Sequence, residues 1–236
     1  MLATLKVLSF DLDNTLWDTP PVLQAAEQAL ESWLTSHAPA LARRYTAVGF
    51  AERRAGLLRE RPELLHDVSA IRQHILADCA READMPPAQA QALAETAFAV
   101  FLAARQQVQL YPEVAACLTW AQRHFRLAAI TNGNACVYRA GLGQWFCTAI
   151  DPRVAGVAKP HPRIFTLLCE RLAVSPAQVL HIGDDPDADV RGAMGVGMRT
   201  VWVNRAGLAW PNDLTPPEWE VRDLAQLRQC LTALAG

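Results

Sequence analysis

The spacing of apolar residues changes twice along the 236-residue chain. A short apolar run, Leu5–Phe10, comes first. From about Pro20 to Gln107, apolar residues recur every three or four positions, which is the spacing of one helix face. Beyond Tyr111 the chain alternates between such helical stretches and short apolar runs of strand length. The pattern predicts one strand, then a helical segment, then a succession of strands and helices.

The helical segment predicts a compact four-helix unit of the bundle type. A weaker helix is expected between Leu41 and Glu60, beside three clear helical stripes. The stripes are Val22/Leu23, Ala26, Leu30 and Trp33/Leu34; then Val68, Ile71, Ile75 and Cys79; then Leu93, Ala97 and Phe101.

The second half of the chain predicts a parallel, doubly wound α/β sheet, because apolar strands there alternate with helices. The predicted strands are Leu5–Phe10, Leu127–Ile130, Ala149–Ile150, Val179–Ile182 and Thr200–Val203, and the predicted helices cover about 112–124, 162–172, 188–195 and 224–234. The expected architecture is a Rossmann-like core, residues 1–16 and 109–236, with an all-helical unit, residues 17–108, inserted after the first strand.

Composition narrows the possible partners. Hydrophobic residues make up 51% of the chain and charged residues 19%, so a substantial core is expected. A formal net charge of −2 gives no general attraction to nucleic acid or to anionic membranes, and no apolar run is long enough to span a bilayer. The six cysteines form no CxxC pair, and no export signal is visible. We therefore expect reduced thiols and a cytoplasmic protein that binds neither nucleic acid nor membrane.

Four polar clusters stand at predicted strand ends or in the loops beyond them. In open parallel sheets, ligands bind beyond the carboxyl ends of the strands, so all four clusters are expected to meet at one crevice. The clusters are Asp11 with Asp13; Thr131–Asn132–Gly133; Lys159–Pro160; and Gly183–Asp184–Asp185 with Asp187 and Asp189.

These residue types suit phosphoryl transfer. Carboxylates and a backbone carbonyl are the oxygen ligands that Mg²⁺ prefers. A cation beside a lysine and a hydroxyl neutralises phosphoryl oxygens during in-line attack. An aspartate can be the nucleophile, and an acid two residues later can protonate the leaving oxygen and then activate water.

The same residues resemble the four motifs of the haloacid dehalogenase superfamily, in the branch with a helical cap after the first motif. The motifs are DxDxT at Asp11–Thr15, the Thr131 site, Lys159–Pro160, and GDxxxxD at Gly183–Asp189. The resemblance implies that Asp11 is the nucleophile and Asp13 the general acid/base. It also implies that Thr131 and the Asn132 backbone bind phosphoryl oxygens, while Lys159 steadies both nucleophile and phosphate.

For the metal, the resemblance implies that Asp184 binds Mg²⁺ together with Asp11 and the carbonyl of Asp13. Asp189 would orient a metal-bound water or Lys159. Asp185 could be a further ligand or a helix-capping carboxylate, and both readings stay open.

A narrower resemblance concerns the substrate. The runs FDLDNTLWDTPPVL, LLHDVSAIR, AITNGNA and LHIGDDPDADVRGA are similar to bacterial flavin mononucleotide phosphatases, a group that also acts on the phosphorylated ribityl-aminouracil of riboflavin synthesis. The implied protein is a Mg²⁺-dependent phosphomonoesterase of small metabolites, a monomer or homodimer. In the helical segment, His66 and Arg72 are candidates for substrate contact, with solvated helix faces as the alternative. Trp17 could stack on a substrate ring or pack internally.

Three rivals remain open. The chain could hydrolyse other small esters, such as phosphoglycolate or a nucleoside monophosphate. It could be a phosphomutase, or a catalytically silent binding protein on the same fold. Asp13 argues against a dehalogenase, because dehalogenation has no alkoxide leaving group that needs a proton.

Overall fold

The computed structural model describes residues 5–235, apart from the side chains of Ala47, Leu234 and Ala235. The chain divides into two compact units, one containing the residues up to Asp18 and from Gln109 onward, the other Thr19–Val108. The assignment of a catalytic core and a cap to these units stays a prediction. No helix in the described part of the chain is both long and apolar enough to cross a membrane.

The first unit contains a parallel sheet, and the predicted α/β fold class is confirmed. Over the described residues the sheet has six strands in the order β3-β2-β1-β4-β5-β6. The chain therefore winds outward from β1 in one direction and from β4 in the other, so that the winding reverses between these two central strands. The strands are β1 (Val7–Phe10), β2 (Arg126–Ile130), β3 (Phe146–Ile150), β4 (Val179–Gly183), β5 (Arg199–Val203) and β6 (Trp219–Val221).

Helices of the first unit pack beside the sheet. The helix predicted over residues 162–172 is confirmed, and its apolar side, with Ile164, Phe165 and Leu168, is buried in one core cluster with residues of β2 and β3. The helices are α6 (Val114–Ala121), α7 (Pro152–Ala155), α8 (Pro162–Leu172), α9 (Gly192–Met194) and α10 (Leu224–Ala235), with a 3₁₀ turn at Pro176–Gln178 and a π-helical turn at Pro186–Arg191.

Several elements of this unit differ from the sequence prediction. The short helix α7 was not predicted, and β3 begins at Phe146, three residues before the predicted strand Ala149–Ile150. The stretch expected as one helix over residues 188–195 is a π-helical turn followed by the short α9, because Asp185 caps the turn at its start. Strand β6 was not predicted at all. It has only three residues, follows Pro216–Pro217, and pairs with the outer side of β5 through Val203 and Val221. A periodicity of two cannot be recognised over so short a run.

The second unit is helical, with four longer helices, one short helix and a 3₁₀ turn among its described residues. The buried residues of α1 are Val22, Ala26, Leu30 and Leu34, which is the predicted stripe. Both α1 and α4 pack on α5, and Thr46 and Asp67 cap the starts of α3 and α4. The elements are α1 (Thr19–His37), α2 (Pro39–Ala42), α3 (Ala47–Glu60), the 3₁₀ turn Pro62–His66, α4 (Val68–Arg81) and α5 (Pro87–Arg105).

Arg72, one of the two candidates for substrate contact, is buried inside this helical unit. Its Nη2 lies 2.7 Å from Oε1 of Glu27, and Nη1 donates to the Tyr45 hydroxyl. The guanidinium also lies 3.8 Å from the ring centroid of Phe101 and 4.4 Å from that of Phe50. The structure therefore favours a packing role for Arg72, since paired and stacked arginines can occupy a core.

His66 ends the 3₁₀ turn and is partly exposed. Its proposed contact with substrate stays a prediction.

Substitution of Gly192 tests how closely α9 packs against Phe165 of α8 and against Pro160. A Cβ at this position would lie 2.8 Å from the Phe165 ring and 2.9 Å from Cα of Pro160. We expect Gly192→Ala to lower the free energy of unfolding by about 1–3 kcal/mol through overpacking. The matched control is Gly56→Ala in α3, where the nearest atom would be the flexible Arg59 Nη2 at 3.8 Å. This control is expected to raise stability by roughly 0.5–1 kcal/mol, because alanine restricts the unfolded chain more than glycine. Denaturant titration measures both variants, and equal effects would contradict the packing described.

Candidate active site

The predicted site residues meet at the point where the winding of the sheet reverses. Asp11, Thr131 and Asp184 directly follow the last residues of β1, β2 and β4. A pocket of about 160 Å³ opens there, large enough for a phosphoryl group and a cation. The pocket is lined by Asp11, Asp13, Asn14, Thr131, Asn132, Gly133, Lys159, Asp184, Asp185, Ala188 and Asp189, which include every residue given a role by the resemblance but not Asp187, whose exposed carboxylate pairs with Arg191. The structure thus places these residues together, while their chemical roles stay predictions.

A tight turn after β1 places Asp13 beside Asp11. The Leu16 N–H donates to the carbonyl of Leu12 at 2.9 Å, and Asn14 has a φ of +59°. Asparagine tolerates this left-handed conformation better than most residues.

Trp17 is fully buried, and its indole Nε1–H donates to Oδ1 of Asp13 at 3.0 Å. The structure therefore favours internal packing over stacking on a substrate ring for Trp17. Its indole instead orients the acidic group of the first motif.

Lys159 connects the first and last motifs. Its buried ammonium donates to Oδ1 of Asp11 at 2.5 Å, to Oδ1 of Asp189 at 2.6 Å and to the carbonyl of Ile130 at 3.0 Å. An ammonium has three donors, so all are engaged. Lys159 restrains the Asp11 carboxylate directly, and a contact with a phosphoryl oxygen would require it to release one of these acceptors.

Asn132 fixes the backbone of the lysine. Its Oδ1 accepts from the Lys159 N–H at 2.7 Å, and its Nδ2 donates to the Lys159 carbonyl at 3.0 Å. The sequence had suggested a role only for the Asn132 backbone. Thr131, which precedes it, is buried, and its Oγ1 accepts from the Gly133 N–H at 3.0 Å. This acceptor role leaves the Thr131 hydroxyl proton to point toward an anion.

Asp189 is held on several sides. Its Oδ1 accepts from Lys159 and from Nε2 of His181, the latter at 3.0 Å, and its Oδ2 accepts from the Asp185 N–H at 3.1 Å. The carboxyl group packs so closely on Gly183 that a Cβ there would lie 2.2 Å from Cγ of Asp189. Glycine at the end of β4 is thus a requirement for this arrangement.

Asp184 and Asp185 have different surroundings. The Thr15 hydroxyl donates to Oδ1 of Asp184 at 3.1 Å. Asp185 instead accepts from the N–H groups of Asp187 and Ala188, at 2.8 and 2.9 Å, and caps the π-helical turn. This geometry favours the capping reading for Asp185 and leaves Asp184 as the ligand candidate.

The sequence reasoning assigned no role to Ser9, Thr15 or His181. The signal was visible for Ser9 and His181, because each is a polar residue inside an apolar strand.

The charge balance of the site calls for a cation. Oxygens of Asp11, Asp184 and Asp189 lie within 4.8 Å of one another around a single lysine. Burial raises the pKa of Asp11 well above its usual range, against the opposing charge of Lys159. Burial and the nearby Asp189 raise the pKa of Asp184 to about 6. Such shifts show that the carboxylates lack sufficient compensating charge.

For both Asp189 and Lys159, burial and the neighbouring charges shift the pKa in opposite directions. Burial alone would raise the pKa of Asp189, but the charge of Lys159 and the hydrogen bond from His181 hold it below its usual range. Burial alone would lower the pKa of Lys159, yet Asp11 and Asp189 raise it. Asp189 is therefore ionised and Lys159 protonated at neutral pH.

This donor set fits Mg²⁺. The available ligands are carboxylate oxygens, which suit a hard divalent cation. The oxygens of Asp189 already accept hydrogen bonds from Lys159, His181 and the Asp185 backbone. Asp11 and Asp184 are therefore the better candidates for metal ligands.

A larger groove of about 610 Å³ lies along α6 and α10, away from these groups. None of the residues that line it carries a carboxylate, so it cannot perform the same chemistry. They are Ala115, Ala116, Thr119, Trp120, Arg123, Arg228 and Thr232.

Comparisons with known proteins agree with this geometry. A family model for haloacid dehalogenase-like hydrolases matches residues 5–197. The chain is similar to 5-amino-6-(5-phospho-D-ribitylamino)uracil phosphatase YigB of Escherichia coli, with 30% identity over 96% of each chain. It is also similar to a phosphoserine phosphatase of Thermus thermophilus, with 31% identity over 94% of this chain and 98% of the other.

Among solved structures, that of 2-haloacid dehalogenase from Pseudomonas syringae pv. tomato superposes with a TM-score of 0.92. The two sequences are 40% identical, and the match covers 98% of this chain and 99% of the other.

The raised pKa of Asp184 predicts how Asp184→Asn changes the metal-free protein. Asp184 binds its proton more tightly in the folded than in the unfolded chain, so its ionisation destabilises the fold above a pH of about 6. We expect the variant to raise Tm at pH 7.5 by about 2–6 °C, since roughly 1 kcal/mol moves Tm by about 2–4 °C in a chain of this size. The gain should shrink toward pH 5, and Mg²⁺ should no longer raise Tm.

Asp187→Asn is the matched control for this experiment. Asp187 is exposed, and its pKa is lowered by a hydrogen bond from Arg191. We expect no stabilisation and an intact response to Mg²⁺. Thermal unfolding of wild type and both variants, with Mg²⁺ and with chelator, gives the Tm values that are compared. A normal Mg²⁺ response in Asp184→Asn would show that the cation binds elsewhere.

Proposed function

Because the chain belongs to the haloacid dehalogenase-like hydrolase family, we propose that it is a Mg²⁺-dependent phosphatase of small phosphorylated metabolites. The observation that carries the proposal is the cluster in which Lys159 joins Asp11 to Asp189 in the pocket that also contains Asp13 and Asp184. The predictions of this family and of an enzyme are confirmed by the family match.

In the proposed reaction an oxygen of Asp11 attacks phosphorus in line with the leaving alkoxide. The P–O bond to the alcohol breaks as an aspartyl phosphate forms. Lys159 holds the Asp11 carboxylate in place, and the Thr131 hydroxyl and the Asn132 backbone bind phosphoryl oxygens. Bound at Asp11, Asp184 and the Asp13 carbonyl, Mg²⁺ would supply positive charge that offsets the phosphoryl oxygens.

Asp13 acts twice in this scheme. As an acid it gives its proton to the departing alkoxide, and as a base it takes a proton from the water that then hydrolyses the aspartyl phosphate. The Trp17 indole, 3.0 Å from Oδ1 of Asp13, fixes one carboxyl oxygen.

For the substrate, we propose flavin mononucleotide or the phosphorylated ribityl-aminouracil. Support comes from the similarity to YigB over nearly the whole of both chains. It also comes from the run Leu64–Arg72, which resembles flavin mononucleotide phosphatases in the helical segment. In that run Arg72 is a packing residue, so the resemblance there reflects shared packing as well as any contact with substrate.

A second candidate, dehalogenation of a 2-haloacid, is favoured by the 40% identity with a protein described by that activity. Asp13 and its hydrogen bond from Trp17 favour phosphatase chemistry, because a departing halide needs no proton.

We also propose that the protein is cytoplasmic and works as a monomer or homodimer without nucleic acid or membrane. Its six cysteines, all within the described residues, are free thiols, which fits a reducing compartment.

A panel of substrates tests the proposed function. We expect Mg²⁺-dependent phosphate release, strongest from flavin mononucleotide and the ribityl-aminouracil phosphate, and abolished by chelator and by Asp11→Asn. Phosphoserine, phosphoglycolate and nucleoside monophosphates test the other phosphatase specificities. L-2-chloropropionate, with halide release as the readout, tests dehalogenation.

The outcomes separate the rivals. Turnover of other esters keeps the mechanism and removes the riboflavin-related substrate. Transfer of phosphate between positions of a sugar, without release, indicates a mutase. Halide release without phosphate release indicates a dehalogenase. Binding without turnover, by folded and Mg²⁺-loaded protein, indicates a silent binding protein.

Trp17→Phe tests the orientation of Asp13. The substitution keeps an aromatic ring but removes the indole N–H, so we expect kcat to fall by roughly tenfold, the free-energy equivalent of one hydrogen bond of about 1–1.5 kcal/mol. Phosphate release under saturating substrate measures the effect. Trp120→Phe is a suitable control, because Trp120 lines the groove along α6 and α10 instead. If Trp17→Phe keeps the full kcat, the indole does not position the acid.

A further inference from the structure

Two polar residues lie side by side in the middle of the central strands. Ser9 of β1 and His181 of β4 are register partners, both are buried, and Ser9 Oγ lies 2.9 Å from His181 Nδ1. Side chains two apart on a strand share a face. Ser9 is therefore on the face of Asp11, and His181 is on the face that Gly183 leaves open for Asp189.

Burial of such groups needs an explanation. A buried polar group without a partner costs about 1–3 kcal/mol, and an apolar pair would fill the same positions at no such cost. Here His181 Nε2 lies 3.0 Å from Oδ1 of Asp189, the oxygen that also accepts from Lys159. The hydrogen bonds thus form a continuous row from Ser9 through His181, Asp189 and Lys159 to Asp11.

Burial lowers the pKa of His181, so its imidazole is neutral, and the donors and acceptors of this row then allow one arrangement. The Asp189 carboxylate only accepts, so Nε2 of His181 must carry a proton. In the neutral imidazole, Nδ1 is then an acceptor, and it takes the hydroxyl proton of Ser9. The His181 ring also meets Phe165 edge to face at 5.3 Å, which restricts its rotation.

We propose that Ser9 and His181 are positioning residues that hold Asp189, and through it Lys159, against the nucleophile Asp11. Asp189 sets the tautomer of His181, Ser9 donates to Nδ1 and so restrains the imidazole ring, and His181 in turn restrains the Asp189 carboxylate. This role rests on the proposed function, because it concerns the alignment of the attacking carboxylate. Small displacements of a reacting group reduce the rate strongly, on the order of 100-fold per ångström.

The first test compares His181→Phe with His181→Gln. Phenylalanine keeps a planar ring but donates nothing to Asp189, whereas the glutamine amide can replace the Nε2–H donor. We expect His181→Phe to lower kcat by about 10- to 100-fold with KM nearly unchanged. Losses of this size are typical when a group that orients another site residue, without touching the substrate, is removed. His181→Gln should recover most of the lost kcat. Equal kcat in wild type and a folded His181→Phe would overturn the proposal, as would equal losses in both variants.

Ser9→Ala provides a variant that changes only one hydroxyl, in case His181→Phe does not fold. The expected result is a several-fold loss of kcat. A double variant adds a further check: His181→Phe combined with Asp189→Asn should lose no more kcat than Asp189→Asn alone, because His181 acts through Asp189. Additive losses would contradict this path.

A readout without turnover separates this inference from the proposed function. ¹⁵N-resolved imidazole spectra of the metal-free protein report the tautomer of each histidine, and His181→Gln identifies the His181 signals. We expect the Nε2–H tautomer in both wild type and Ser9→Ala, because Asp189 still requires a donor, and we expect the Nδ1 signal of Ser9→Ala to shift through loss of the hydrogen bond from Ser9. If the tautomer is as expected but no phosphomonoester is hydrolysed, the geometry holds and the proposed function fails. A wild-type Nδ1–H tautomer would overturn the positioning role even in an active phosphatase.

Discussion

The site depends on one buried ammonium group. Lys159 is buried, and its three donors are satisfied by two carboxylates and a backbone carbonyl. Removing either carboxylate would leave a buried charge without its partner. This destabilises a protein far more than replacing the whole ion pair by apolar residues. Asn132 holds the backbone of the lysine, and Gly183 makes room for Asp189. Several features that look separate in the sequence therefore serve one ion cluster.

The topology of the sheet explains how such a cluster can form from distant residues. Reversal of the winding between β1 and β4 opens a crevice beyond their carboxyl ends, and β2 lies next to β1. Parallel register then sets Ser9 beside His181 and brings Asp11 and Asp184 to the same edge. The excess of carboxylates over ammonium groups at this edge is what makes a divalent cation a fitting partner.

Residues whose role follows from local position could be predicted from the sequence. Asp11, Thr131 and Asp184 stand just after apolar strands, and α8 shows its buried stripe plainly. Roles that depend on a distant partner could not be predicted. The Thr15 hydroxyl reaches Asp184, 169 positions away, and nothing in the periodicity of α4 shows that Arg72 pairs with Glu27. Strand β6 could not be predicted because it has only three residues and depends on pairing with β5, which the local sequence does not show.

The similarity to a dehalogenase and the similarity to phosphatases are reconciled by the leaving group. Attack on carbon and attack on phosphorus can both use an aspartate as the nucleophile, so much of the fold can be shared. The reactions differ once the bond breaks, because a halide leaves as a stable anion while an alkoxide needs a proton. In this chain Asp13 shares the pocket with Asp11, the proposed nucleophile, and a buried indole holds one of its oxygens. An acid aligned in this way contributes to hydrolysis of a phosphate ester and contributes nothing to the departure of a halide.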